Sequence, residues 1–187
     1  LTGRDPDPLI AGLWPGRIDA SHAFELIAPG ASQPRAVTIT PATITTYPFP
    51  MTQIISTDSG SVGYLLFTEH IQTAEQQLVD SFAAMRDANV TDLVLDLRYN
   101  RGGYLYLANQ VAYMTAGAGV SGRTFGALQF NDKNPSTNPV TGQTLSPTRF
   151  ITTTINTSPN GTPPPTLDLP IQRNFVLTTA RTCSASE

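Results

Sequence analysis

The chain has 187 residues, 40% of them hydrophobic and only 13% charged, with a formal net charge of −3; this length suits one domain with an appendage, burying roughly 70% of its unfolded surface. No basic block is present to engage nucleic acid or an anionic membrane, and every apolar run is shorter than the roughly 18 residues a membrane span needs. A lone cysteine, Cys183, excludes an intramolecular disulfide and says nothing of compartment.

Residues 1–50 read as a proline-studded, β-rich segment. Ala23 to Ile27 and Ala36 to Thr40 flank Pro29-Gly30 and predict a hairpin. Tyr47-Pro48-Phe49-Pro50 predicts a stiff linker, because X-Pro steps favour extended backbone. A core domain is expected over 51–187. Ile54 to Phe67 predicts a second hairpin turning at Asp58-Ser59-Gly60, and Val62 to Phe67 is a buried run in strand-forming residues. Thr73 is the expected N-cap of a helix, with Gln76 as its capping-box partner. Leu78, Phe82 and Met85 follow on one helical face, and Asn89 closes the helix. Leu93-Val94-Leu95 predicts a strand, Asn100 to Gly103 a turn, and Tyr104 to Thr115 a second helix with Leu107, Val111 and Met114 inward.

Residues 117–170 are rich in Gly, Pro, Asn, Thr and Ser, and a loop of that length is expected to border a functional cleft. Strands are expected within it at Arg123 to Phe130 and Arg149 to Ile155, with a stiff, extended Thr162-Pro163-Pro164-Pro165. The sheet resumes at Phe175 to Thr178. No internal repeat is visible.

Two turns carry the chemistry. Thr182-Cys183-Ser184-Ala185-Ser186-Glu187 follows the apolar run Phe175-Val176-Leu177, and a small-residue turn after a buried strand exposes a serine hydroxyl beside free backbone N–H groups, as acyl transfer requires. Asp96-Leu97-Arg98-Tyr99-Asn100-Arg101-Gly102-Gly103 follows a second strand, and paired glycines let the backbone approach a substrate carbonyl. In this order the two turns resemble the C-terminal processing (tail-specific) protease family, in which a D-L-R-x-N-x-G-G turn precedes an S-A-S-E turn. The likeness runs from about Gly63 to Glu187.

The resemblance implies an α/β fold with a β-β-α spiral core (crotonase/Clp-protease-like) behind the N-terminal β-rich segment, itself the possible tail of a PDZ domain. It implies a serine endopeptidase in which Ser184 is the nucleophile and the N–H groups of Gly102 or Gly103 and of Ala185 are the oxyanion donors. Substrates would be peptides or unfolded proteins, with no cofactor, and the setting a periplasm, cell envelope or secreted space. The family's base is a lysine downstream of the serine, whereas the single lysine here, Lys133, lies far upstream. The expectation is therefore a fragment holding the nucleophile without the base, inactive as it stands. The alternative is a non-catalytic module binding peptides or apolar ligands on the same fold.

Other side chains read more plainly. Asp96 and Arg98 suggest an ion pair bracing the glycine turn, and Asn100 a turn-stabilising side chain. Cys183 reads as a small buried residue and Glu187 as structural. His70, at a strand end, and His22 are candidates for a Ser–His arrangement only weakly supported by their neighbours. Two histidines and one cysteine without ligand spacing argue against zinc, and no phosphate or dinucleotide loop is present.

Overall fold

The computed structural model of the chain describes residues 7–49, 51–157, 161–167 and 173–186. Two units are distinguished, Leu1–Thr46 and Tyr47–Glu187. The first holds helix α1 (Asp7–Leu13) and a hairpin of β1 (His22–Leu26) with β2 (Arg35–Ile39), in which Phe24 faces Val37. The predicted hairpin is there, because Pro29-Gly30 permits the turn and Gly30 takes φ +83°.

The second unit is a mixed α/β structure. Strands β3 (Met51–Thr57) and β4 (Gly60–Leu66) pair antiparallel around Asp58-Ser59. Helix α2 (Ala74–Asp87) then leads to β5 (Asp92–Asp96), which lies parallel to β4. Helix α3 (Leu105–Ala116) follows, then the short pair β6 (Thr124–Gly126) and β7 (Thr148–Arg149), and finally β8 (Arg173–Leu177), parallel to β5. The sheet order is β3-β4-β5-β8. Parallel neighbours need long crossovers, and α2 and α3 supply them.

Leu78, Phe82 and Met85 of α2 are completely buried, as their spacing predicts. They pack in one cluster with Leu65 and Phe67 after β4 begins, Leu93 of β5, and Leu107, Val111 and Met114 of α3. Burying one such side chain is worth about 2 kcal/mol, so this cluster fixes both helices to one sheet face.

The ends of α2 differ from expectation at one terminus. Thr73 sits at φ −69°, ψ −9° and its side chain makes no capping hydrogen bond; an N-cap needs extended dihedrals to aim its oxygen at the first turn, so no capping box with Gln76 forms. At the other end Asn89 takes φ 52°. Its N–H donates to the Arg86 carbonyl and that of Val90 to Met85, a Schellman closure with Asn in the left-handed position.

Among its described residues the 117–170 excursion forms far less strand than expected at Arg123 to Phe130 and Arg149 to Ile155: three residues at 124–126 and two at 148–149. Its backbone is satisfied by distant side chains instead. Asn109 Oδ1 accepts from Ile151 N at 2.8 Å, and Glu75 accepts from the N–H groups of Ile155 and Asn156. The linker expected at Tyr47 to Pro50 packs on the core through Pro48, which is buried, and Phe49, which stacks on Phe67 at 4.5 Å; Pro50 lies outside the described residues.

Candidate active site

Strands β5 and β8 lie side by side, so the turns leaving their C-terminal ends meet. Thr182 Oγ1 donates to the Leu97 carbonyl at 2.8 Å and Thr179 Oγ1 to the Arg98 carbonyl at 2.9 Å. The Cys183 thiol approaches the Arg101 carbonyl at 3.6 Å, and Ser186 Oγ donates to Asn100 Oδ1 at 2.5 Å. Four side chains of the serine turn thus stitch it onto the glycine turn.

Ser184 is exposed and sits at φ 61°, a left-handed conformation that costs a non-glycine residue on the order of 1–2 kcal/mol. Strain of that kind is held by the surrounding bonds. The neighbour beneath it has to be glycine: a Cβ at Gly102 would lie 2.3 Å from Ser184 Cβ and 2.7 Å from Ser184 Oγ. Gly103 is as tightly placed on the other side, where a Cβ would meet the His70 carbonyl oxygen at 2.3 Å. Both glycines also have positive φ, +80° and +130°.

The backbone N–H groups of the glycine turn are not equivalent. Gly102 N–H donates to Asn100 Oδ1 at 2.7 Å. The Gly102 carbonyl accepts from His70 N–H, and Tyr104 N–H donates to the His70 carbonyl, both at 2.8 Å. Among the described residues, the Gly103 N–H has no such partner. In a trans peptide the carbonyl and the following N–H point in opposite directions, so anchoring Gly102 O on His70 turns the Gly103 N–H away from His70.

Asn100 is fully buried. Its Nδ2 donates to the Phe67 carbonyl at 2.9 Å, which fixes Oδ1 as the acceptor. His70 Nδ1, 3.1 Å away, is therefore the donor in that pair. Burial lowers the His70 pKa from its ordinary value, against the hydrogen bonds to Asn100 and Gly102, and the ring is neutral near pH 7. Its Nδ1 serves Asn100, and no described side chain hydrogen-bonds the Ser184 hydroxyl.

Below the glycine turn, Asp96 is completely buried and held by Arg98, whose Nη2 lies 2.7 Å from Oδ2, and by the Tyr64 hydroxyl at 2.7 Å. The Arg98 guanidinium, with Tyr64, holds the Asp96 carboxyl down at about 2 against the effect of burial. This is the bracing ion pair that the spacing of the two residues suggests. An apolar cavity of about 360 Å³, lined by Phe67, Leu95, Val111 and Val176, borders Ala185, Ser186 and His70. Among the described residues no group of three or more His, Cys, Asp or Glu side chains is placed to hold a metal, and no helix is long and apolar enough to cross a membrane.

The sequence model of Peptidase family S41 matches residues 61–187. The chain belongs to peptidase family S41. Solved structures agree on the fold: a putative S41 protease from Bacteroides fragilis NCTC 9343 is 23% identical with a TM-score of 0.56, over 89% of this chain and 41% of that one. A photosystem II D1 C-terminal processing protease is 22% identical with a TM-score of 0.50, over 91% of this chain and 40% of that one. The chain thus spans about two fifths of the length of these two structures. No curated protein sequence matches it significantly.

For this S41 family member the structure brings Ser184, Gly102, Gly103 and the 184–186 turn together. Lys133 is exposed in the 131–134 turn. Cys183 is exposed rather than buried, since its turn projects from the end of β8. His22 belongs to the first unit, and Glu187 lies outside the described residues. Asn100 stabilises its turn as expected, through the Gly102 N–H; its contacts with His70 and Ser186, and the place of Ser186 itself, are what the sequence reading missed. The only signal was polar side chains at fixed places in both turns.

Proposed function

We propose that the protein is a serine endopeptidase of the C-terminal processing type, with Ser184 forming an acyl-enzyme on a peptide substrate. The observation that supports this best is Ser184 in a left-handed turn, exposed and in van der Waals contact with Gly102. Attack by its Oγ on a carbonyl places negative charge on the carbonyl oxygen, which backbone N–H groups stabilise. Of the two glycines, Gly103 is the better donor because Gly102 N–H is already bonded to Asn100; the N–H of Ala185 is the second. One such donor is worth about 3 kcal/mol of transition-state stabilisation.

The base in this reading is a lysine from outside these 187 residues, forming a Ser-Lys dyad, and the residues alone are inactive. The four-stranded sheet is then part of a β-β-α spiral core, the substrates are peptides or unfolded proteins, and the protein works in a periplasm, envelope or secreted space, as the family likeness suggests. The test is Ser184→Ala in the protein carrying whatever residues are encoded beyond Glu187. Loss of cleavage of an unstructured peptide is expected; undiminished cleavage would overturn the assignment. A second reading, a binding module that does not cut, is favoured by the apolar cavity beside Ala185, and predicts peptide binding that survives Ser184→Ala with no cleavage before it.

A further inference from the structure

We propose that Asn100 is the positioning residue of this site, and that its amide decides which glycine N–H serves the oxyanion. The inference rests on Ser184 being the nucleophile. Three donors converge on one atom, Asn100 Oδ1: the backbone N–H of Gly102 at 2.7 Å, the Ser186 hydroxyl at 2.5 Å and His70 Nδ1 at 3.1 Å. They come from three segments, the glycine turn, the serine turn and the end of the β4 strand's extension. The fourth bond, from Asn100 Nδ2 to the Phe67 carbonyl, sets the direction of the amide and stops it from flipping.

The consequences are geometric. By taking the Gly102 N–H, Asn100 removes that group from the oxyanion site. By holding it, Asn100 also fixes the peptide before Gly102, while His70 N–H fixes the peptide after it through the Gly102 carbonyl. Among the described residues the Gly103 N–H is left unpaired, and its direction is determined. By holding Ser186 Oγ, the same oxygen ties down the residue after Ala185, so both proposed oxyanion donors are referenced to one buried atom. Displacement of a reacting group by about 1 Å costs about a hundredfold in rate, and supporting shells keep such groups within about 0.5 Å. Asn100 touches neither substrate nor Ser184 Oγ in this scheme and acts only through the groups it holds.

The test uses the protein carrying the residues encoded beyond Glu187, as for Ser184→Ala above, and a fluorophosphonate, which bonds phosphorus to Ser184 Oγ with loss of fluoride while the hydroxyl proton passes to the proposed base. Its phosphoryl oxygen occupies the oxyanion site, so the labelling rate reads donor placement. Ser184→Ala abolishes labelling. Asn100→Ala slows it about a hundredfold, and Ser186→Ala slows it less, with no further loss when added to Asn100→Ala. Amide exchange gives a readout that general loosening would not give: in the parent protein Gly102 is protected and Gly103 exchanges fast, and Asn100→Ala exposes Gly102 alone. If Asn100→Ala fails to fold, Ser186→Ala and Asn100→Asp, which keeps Oδ1, carry the comparison. Parent-rate labelling in folded Asn100 and Ser186 variants, or protection of Gly103 in place of Gly102, overturns the inference and leaves the Ser184 assignment standing. Labelling that persists in Ser184→Ala overturns both.

Discussion

At Gly102 an alanine meets two penalties together. Its φ of +80° is unfavourable for any residue with a Cβ, and that Cβ would sit 2.3 Å from Ser184 Cβ. Gly102→Ala is expected to lose at least about 2 kcal/mol of stability, measured by urea unfolding, and to push Ser184 out of its left-handed position. Unchanged stability would mean that the two turns do not touch. Asp96 supplies a pH test at the same scale. Its folded pKa, about 2, lies below the unfolded value of about 3.9, so the pairing with Arg98 and Tyr64 favours the ionised, folded state. That contribution is complete above about pH 4 and is lost as pH falls toward 2. Unfolding midpoints across this range should drop in the parent and drop less in Asp96→Asn. His70 has the same sign, since its pKa is lowered by burial: its contribution is present above about pH 6.5 and fades below it.

Among the elements, α2 and α3 do more than cover the sheet. Glu75 of α2 is 1% exposed, yet its carboxylate accepts from Gln110 Nε2 of α3 and from the backbone N–H groups of Ile155 and Asn156. Removing that acceptor takes one of two partners from the buried Gln110 amide and frees the N–H groups of the exposed residues Ile155 and Asn156; losing a bond at a buried polar group costs about 1–3 kcal/mol. Glu75→Ala should therefore cost about 1–3 kcal/mol and release Ile155 and Asn156 to fast amide exchange, with the exchange of β4 and β5 unchanged until global unfolding. Protection retained at Ile155 would show that the excursion is held by other contacts. The same residues explain what was legible in the sequence. The helices were, because Leu78, Phe82 and Met85 or Leu107, Val111 and Met114 repeat at helical spacing and all six are buried. The family was, because short motifs in the two turns carry it. The excursion was not. Threonine- and isoleucine-rich runs at 149–155 have strand propensity, but their hydrogen bonds go to Asn109, Gln110 and Glu75, partners roughly forty to eighty positions away that no local pattern announces. Asn100 was legible in part: an asparagine in a turn ordinarily bonds its own backbone, and this one does so at Gly102, but its contacts with His70 and Ser186 come from distant segments.

For the whole molecule the decisive question is where a proton from Ser184 would go. A serine hydroxyl is a weak nucleophile until a positioned base accepts that proton. Within the second unit, His70 is committed through Nδ1 to Asn100. Lys133 is exposed in a turn whose backbone bonds to Asn131, whereas a lysine acting near neutrality must be desolvated to bring its pKa down from about 10.4. Under the proposed function, then, no described side chain hydrogen-bonds the Ser184 hydroxyl and could take its proton. The 187 residues alone are expected to bind an unstructured peptide without hydrolysing it. Mass spectrometry of the peptide after prolonged incubation checks this: an intact peptide is the expected result. Cleavage that vanishes with Ser184→Ala would show that a base is already present, and comparison of His70→Phe with Lys133→Met would then identify it.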